Sequence, residues 1–101
     1  MTTWFVSRHP GALHWMQAHG PAFDQHVEHL DPAQVGAGDV VIGTLPVNLA
    51  AEVCARGARY FNLSLQLSVS DRGQELSADD LQRCQAQLQE FHIQHTPRTH
   101  P

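Results

Sequence analysis

An apolar strand that runs into a polar turn and then into a helix start is the feature that most constrains the fold, and it occurs twice. The first copy is Trp4-Phe5-Val6-Ser7-Arg8-His9-Pro10-Gly11 and the second is Val40-Val41-Ile42-Gly43-Thr44-Leu45-Pro46-Val47-Asn48. Aromatic and β-branched runs that end in Pro or Gly are typical of strands that give way to helices. Because the helix N-terminus carries unpaired N–H groups and a partial positive charge, such a junction is suited to an anion. Two junctions from one sheet can face a single ligand.

The alternation of apolar runs with helical patterns predicts a small Rossmann-like α/β fold, with a mainly parallel sheet flanked by helices in a single domain over residues 1–101. The predicted strands are Thr3–Ser7, a strand within the ambiguous segment Phe23–Leu30, Val40–Gly43 and Arg59–Leu65. In such sheets ligands bind at the carboxyl ends of the strands, where both polar turns lie.

The helix signals are equally local. Gly20-Pro21 ends the first helix, Asp31-Pro32 caps a short turn that ends at Gly36, and Gly57 ends the helix of the second junction. Ser77 opens a last helix, and Leu81, Cys84, Leu88 and Phe91 follow at i, i+3, i+7 and i+10, which predicts that this helix reaches Phe91. A loop is predicted over Gln66–Glu75 and a flexible tail over 96–101.

Size and charge limit the partners. A chain of 101 residues makes one domain, so a site shared between two copies would suit it. Ten acidic residues against six arginines and no lysine give a net charge of −4, which disfavours binding of long nucleic acids but allows a compact anion. No apolar run is long enough for a membrane helix and no signal-peptide pattern is visible, so we expect a cytoplasmic protein.

The first polar turn offers a hydroxyl, a guanidinium and an imidazole on Ser7, Arg8 and His9. In an extended chain Ser7 and His9 point one way and Arg8 the other, but a turn at Pro10-Gly11 could gather all three around a phosphate. The alternative is that Arg8 forms a surface ion pair and His9 a polar helix cap.

The second polar turn supplies the Gly43 backbone, the Thr44 hydroxyl and the helix start after Leu45-Pro46, with Asn48 in the first helical turn. Taken alone, this pattern equally describes an ordinary capped helix. Beside the first turn it predicts a second contact with the same ligand.

The remaining candidates favour structural roles. His26 and His29 would form a metal-ligand pair if they lay on a helix, but on a strand they point to opposite faces. No ligand set of recognised spacing surrounds them, so we predict no metal site and no cofactor. Cys54 and Cys84 fall on the apolar stripes of predicted helices, which indicates buried core thiols rather than a disulfide or a nucleophile.

Three segments resemble a small CRISPR-associated accessory family found with type III systems. They are Trp4-Phe5-Val6-Ser7-Arg8-His9-Pro10-Gly11-Ala12, His29-Leu30-Asp31 and Gly38-Asp39-Val40-Val41-Ile42-Gly43-Thr44-Leu45-Pro46-Val47-Asn48-Leu49-Ala50. The resemblance runs from Thr2 to about His92. It implies a minimal relative of the Rossmann-like domains that sense cyclic oligoadenylate, and a ring nuclease that cleaves this second messenger and so switches the antiviral response off.

The candidate residues independently fit the chemistry that this activity requires. In a metal-free cleavage of cyclic tetra-adenylate, a ribose 2′-hydroxyl would attack its own phosphodiester and leave a 2′,3′-cyclic phosphate. Arg8 and the N–H groups of both turns would stabilise the phosphorane, and His9 would act as general base or acid. Ser7 and Thr44 would bind phosphate, while Asn48 would read an adenine edge or a ribose hydroxyl, or else simply face solvent on its helix. The other predicted ligand-binding residues belong to the two turns; they are Pro10, Gly11, Gly43, Leu45 and Pro46.

A homodimer with the ring on its two-fold axis would match the symmetry of the ligand. Two arginines and four helix N-termini would supply about +4 to face four phosphates.

Other functions remain open. The same residues would also serve a sensor or sponge that binds the ring without cleaving it. A small phosphatase is disfavoured, because Pro10 stands where histidine phosphatases carry glycine and the chain is about half the length of such enzymes.

Overall fold

Four parallel strands and one antiparallel edge strand form a single sheet in the computed structural model, which describes residues 1–97. The strands are β1 (Thr3–Val6), β2 (Gln25–Val27), β3 (Val40–Gly43), β4 (Arg59–Ser64) and β5 (Gln87–Phe91), in the spatial order β2-β1-β3-β4-β5. The helices are α1 (Pro10–His19), α2 (Val47–Ala55) and α3 (Ala78–Arg83), with 3-10 turns at Pro32–Gln34 and Val69–Asp71. The predicted α/β fold with a mainly parallel sheet is confirmed.

The two central strands, β1 and β3, are buried on both faces. Phe5 and Ile42 pack with α1 and α3 on one side, whereas Trp4 and Val41 pack with α2 on the other. This explains why both strands are continuous apolar runs instead of alternating ones. Since α1 and α2 follow neighbouring strands but cover opposite faces, the carboxyl ends of β1 and β3 form the switch point at which α/β sheets bind ligands.

Two glycines allow close packing around this point. A Cβ atom on Gly43 would lie 2.6 Å from the carbonyl oxygen of Val6, its partner on β1. A Cβ atom on Gly11 would lie 1.8 Å from the carbonyl oxygen of Leu76. Gly43 therefore lets β1 and β3 approach each other, and Gly11 lets α1 pack against the segment that precedes α3.

The amino ends of the same two strands are tied together by a buried carboxylate. Asp39 accepts hydrogen bonds from the N–H groups of Gly36 and Thr2, both at 2.9 Å, and from Nε1 of Trp4 at 3.2 Å. The Gly36 and Thr2 bonds hold the pKa of Asp39 below its usual value, although burial opposes them. Asp39 thus keeps a charge inside the fold and fixes the start of β1 against the loop that enters β3.

The end of the chain differs from the prediction. Helix α3 ends at Arg83, and Gln85 adopts a left-handed conformation with φ of 59°, after which β5 pairs antiparallel with β4. The predicted helix to Phe91 is wrong because β4 has an open edge, and β5 satisfies its hydrogen bonds while Arg59 pairs with Glu90 at 2.8 Å. The helical spacing of Leu88 and Phe91 is coincidental.

Most other local predictions agree with the structure. The segment 23–30 contains the short strand β2, and the Asp31 side chain caps the turn after it by accepting from the Ala33 N–H at 3.0 Å. Cys54 and Cys84 are buried free thiols, as predicted. Of the predicted tail 96–101, residues 98–101 lie outside the described residues. Within residues 1–97, no helix has the length and apolar character that a membrane span requires.

Candidate functional site

A cleft of about 620 Å³ opens at the carboxyl ends of β1 to β4, where the helices change faces. Its volume lies within the range of roughly 300–1,000 Å³ that is usual for small-molecule sites. Seven of the predicted site residues line this cleft: Ser7, Arg8, His9, Gly43, Thr44, Leu45 and Pro46. The structure therefore brings both polar turns to one site.

Three predicted ligand-binding residues do not line the cleft. Gly11 is buried against Leu76, so its missing side chain is explained by packing. Pro10 and Asn48 are exposed in the first turns of α1 and α2.

The first turn is fixed by hydrogen bonds around Ser7. Its N–H donates to the Val27 carbonyl oxygen at 3.0 Å, its Oγ accepts from the His9 N–H at 3.1 Å, and its carbonyl oxygen lies 2.9 Å from Nε2 of His26. The Ser7 hydroxyl proton is left available, because Oγ acts only as an acceptor in that turn. His9 occupies the N-cap of α1 without a side-chain capping bond. Its imidazole is thus not used to cap the helix.

The second turn is held in place by the buried hydroxyl group of Tyr60. The hydroxyl oxygen of Tyr60, on β4, accepts from the Leu45 N–H at 3.0 Å and lies 2.5 Å from Oδ1 of Asn62 and 3.2 Å from the Gly43 carbonyl oxygen. The Thr44 hydroxyl donates to the Leu63 carbonyl oxygen at 3.1 Å. The Leu45 N–H and the Thr44 proton are therefore occupied within the protein.

The start of α2 remains open to an anion. Its N-cap is Pro46, which has no side-chain group to cap the first N–H groups of the helix. Pro46 and Leu49 both line the cleft, so this helix end borders the site. Within residues 1–97 no side chain caps the first N–H groups of α2, so the second turn offers these groups in place of the Leu45 N–H.

Among residues 1–97, Arg8 is the only arginine that lines the cleft. Within residues 1–97 it makes no ion pair, whereas Arg59 pairs with Glu90 at 2.8 Å and Arg83 with Asp71 at 2.9 Å. The guanidinium of Arg8 is exposed and free to meet a ligand. This arrangement explains how an acidic chain keeps a positive group at its site.

Sequence reasoning missed several residues of the site. Glu28 and His29 line the cleft just after β2, and Gln74 and Leu76 reach it from the loop before α3. The first two could have been found, because β2 ends at the same sheet edge as β1. Tyr60 could not, because a tyrosine within an apolar strand gives no sign of where its hydroxyl points.

Glu28 reduces the positive charge of the cleft. Each helix N-terminus counts about half a charge, so Arg8 and the two helix starts supply about +2, which the Glu28 carboxylate lowers to about +1.

His26, one of the two histidines considered as metal ligands, is bonded to the Ser7 carbonyl oxygen. In the part of the chain that the structure describes, no three His, Cys, Asp or Glu side chains form a group able to hold a metal ion.

The fold and the cleft define a small doubly wound α/β protein whose switch point carries an arginine and a helix start with no side-chain cap. The family described as "Putative CRISPR-associated protein (Cas_VVA1548)" matches residues 4–94. The chain belongs to this CRISPR-associated family. Comparison with curated proteins and with solved structures found no match.

The pKa of the Tyr60 hydroxyl reports on its buried position under the second turn. Burial raises the pKa of Tyr60 more than its bond from the Leu45 N–H lowers it. Because Tyr60 is the only tyrosine in the chain, tyrosinate absorbance reports on it alone. We expect the folded protein to titrate above the ordinary value of about 10, and the chain unfolded in guanidinium to titrate near it.

The fold holds the neutral phenol, so its contribution to stability should be lost as pH rises from about 10 through the folded-state pKa. A folded-state titration at or below that of the unfolded chain would contradict the buried, bonded position of the hydroxyl.

Proposed function

We propose that this protein is a metal-independent ring nuclease that cleaves cyclic tetra-adenylate and so switches off type III CRISPR signalling. The observation that carries the proposal is the meeting of Arg8, His9 and the open start of α2 in one cleft. The protein's membership of a CRISPR-associated family supports the same proposal. No resident cofactor is part of the proposal.

The cleft has a polar and an apolar part, as a nucleotide requires. Arg8, with the helix start after Pro46, suits a phosphodiester. Leucine side chains make up much of the remaining wall and suit an adenine base; they are Leu30, Leu45, Leu49, Leu63, Leu65, Leu76 and Leu81. This combination favours a nucleotide over inorganic phosphate.

The proposed reaction is an attack of the ribose 2′-hydroxyl on the adjacent phosphorus. The O2′–P bond forms, the P–O5′ bond breaks, and the products carry a 2′,3′-cyclic phosphate and a 5′-hydroxyl. Arg8 and the N–H groups of α2 would stabilise the charge that develops on the phosphoryl oxygens. His9 would transfer one of the two protons. Cleavage at two opposite linkages would give two molecules of linear di-adenylate.

The proposed functional unit is a homodimer with the ring on its two-fold axis. One cleft provides a single arginine and a charge of about +1, which is little for four phosphates. Two clefts related by symmetry would present the same groups to each half of the ring.

One observation favours binding without cleavage. The Leu45 N–H and the Thr44 hydroxyl, which the sequence predicts as phosphate ligands, are held by Tyr60 and by the Leu63 carbonyl oxygen. Fewer donors are then available to stabilise a phosphorane. A sensor or sponge for the ring is therefore the second candidate.

The reaction product separates the two candidates. We expect incubation of the protein with cyclic tetra-adenylate in excess EDTA to yield linear di-adenylate, and mass spectrometry to show its 2′,3′-cyclic phosphate, one water lighter than a 3′-phosphate. Intact ring that co-elutes with the protein would instead identify a sponge. Cleavage that EDTA abolishes and manganese restores would contradict the metal-free reaction.

Arg8 and His9 should affect different steps. Arg8→Ala should weaken binding of the ring roughly 10- to 100-fold, because a hydrogen bond to a charged group contributes about 1.5–3 kcal/mol. His9→Ala should slow single-turnover cleavage by about 10²–10⁴ with little change in affinity. Arg56→Ala and His14→Ala are matched controls, since both residues are exposed and neither lines the cleft. A His9→Ala rate within about threefold of wild type would exclude proton transfer by His9.

The shared site can be tested by sedimentation velocity with and without the ring. We expect two chains to sediment with one ring, because the charge of about +1 in one cleft is too small for four phosphates and a second cleft doubles it. A monomer that binds one ring per chain would contradict the two-fold site.

A further inference from the structure

His29 lies in the same cleft as Arg8 and His9, and the reaction described above gives it no role. Its side chain is exposed, and within residues 1–97 it makes no side-chain hydrogen bond, unlike His26, which is bonded to Ser7. The packing of the described residues therefore does not account for an imidazole at this position.

Two hydrogen bonds hold the segment that carries His29 against the first turn. The Ser7 N–H donates to the Val27 carbonyl oxygen at 3.0 Å, and Nε2 of His26 lies 2.9 Å from the Ser7 carbonyl oxygen. These bonds extend the parallel pairing of Val6 with Val27 beyond the strands. The segments that carry His9 and His29 thus leave the sheet as fixed neighbours.

The proposed reaction needs two proton transfers. O2′ loses a proton as it bonds to phosphorus, and O5′ gains one as it leaves. In an in-line displacement these oxygens lie on opposite sides of the phosphorus, so a single imidazole does not serve both. Histidine is the side chain best suited to accept or donate a proton near neutral pH. Arg8, which stays protonated, is suited to the phosphoryl oxygens instead.

We propose that His29 is the second proton-transfer group of the cleft and acts with His9. One imidazole accepts the O2′ proton, and the other, protonated, delivers a proton to O5′. No water is consumed, and exchange with solvent restores both histidines. This assignment rests on the proposed ring cleavage. Glu28 is the other titratable side chain that faces the cleft from this segment, so it is the competing candidate.

The test uses two substrates and two variants. The first substrate is cyclic tetra-adenylate, and the second carries sulfur in place of all four bridging 5′-oxygens, because a thiolate leaves without a proton from an acid. His9→Asn and His29→Asn remove proton transfer while keeping a polar side chain, and His14→Asn is the matched control outside the cleft. Single-turnover rates and the affinity for the ring are measured separately.

We expect both His9→Asn and His29→Asn to slow cleavage of the all-oxygen ring by about 10²–10⁴, with affinity within about threefold of wild type. On the sulfur ring, one of the two variants should recover to within about tenfold of wild type, and the other should stay slow. The variant that recovers has lost the acid, and the one that stays slow has lost the base. His14→Asn should match wild type on both substrates.

Several results would overturn the assignment. A His29→Asn rate near wild type on the all-oxygen ring, or rescue of both or neither variant by sulfur, would exclude His29 as the second group. Loss and rescue in Glu28→Gln with an unaffected His29→Asn would transfer the role to the carboxylate. Wild-type protein that cleaves neither ring would instead contradict the proposed function itself, and the assignment with it.

Discussion

The pairing of β1 with β3 is the constraint on which the rest of the structure depends. Both strands are buried on both faces, so their side chains alternate between two cores, and a shift of either strand by one residue would move every side chain into the opposite core. Asp39 fixes the amino ends of the pair, and Gly43 lets its carboxyl ends approach. Because α1 and α2 then cover opposite faces, the space between their first turns is the cleft.

The two turns of this cleft are supported in different ways. The first is held by backbone bonds, by the Ser7 hydroxyl and by His26, and within the described residues the side chains of Arg8 and His9 make no hydrogen bond. The second is held by the buried Tyr60 phenol at the Leu45 N–H and by the bond of the Thr44 hydroxyl to the Leu63 carbonyl oxygen, so its backbone is fixed to β4 at two points. An anion at this site would therefore meet a movable cation on one side and a rigid helix start on the other.

Much of the fold could be predicted because its signals are local. Apolar runs, Gly20-Pro21 and Asp31-Pro32 each act within a few residues, and the structure follows them. The prediction that the last helix reaches Phe91 was wrong because β5 pairs with the open edge of β4, which lies more than twenty residues earlier in the chain. The spacing of Leu81 and Leu88 fits a helix as well as it fits a short helix followed by a strand.

The site was predictable to the extent that it follows from strand ends. Ser7, Arg8, His9 and Thr44 come directly after strands, and parallel strands bring their carboxyl ends to one edge. Gln74 reaches the cleft from a loop whose path depends on Asp71, bonded to Ser68 and Arg83. Such tertiary contacts have no periodic pattern in the sequence.

The two cysteines lie on opposite sides of the sheet, which gives the molecule a reporter in each layer. Cys54 is buried in the α2 layer, where its Sγ accepts from the Ile93 N–H at 3.5 Å, while Cys84 is buried at the end of α3, 3.7 Å from Asp71. Burial and the Asp71 charge raise the pKa of Cys84, so this thiol reacts only when its surroundings open. Thiol labelling of the native protein therefore measures the local opening of each layer separately, and Cys84 reports on the loop that forms one wall of the cleft.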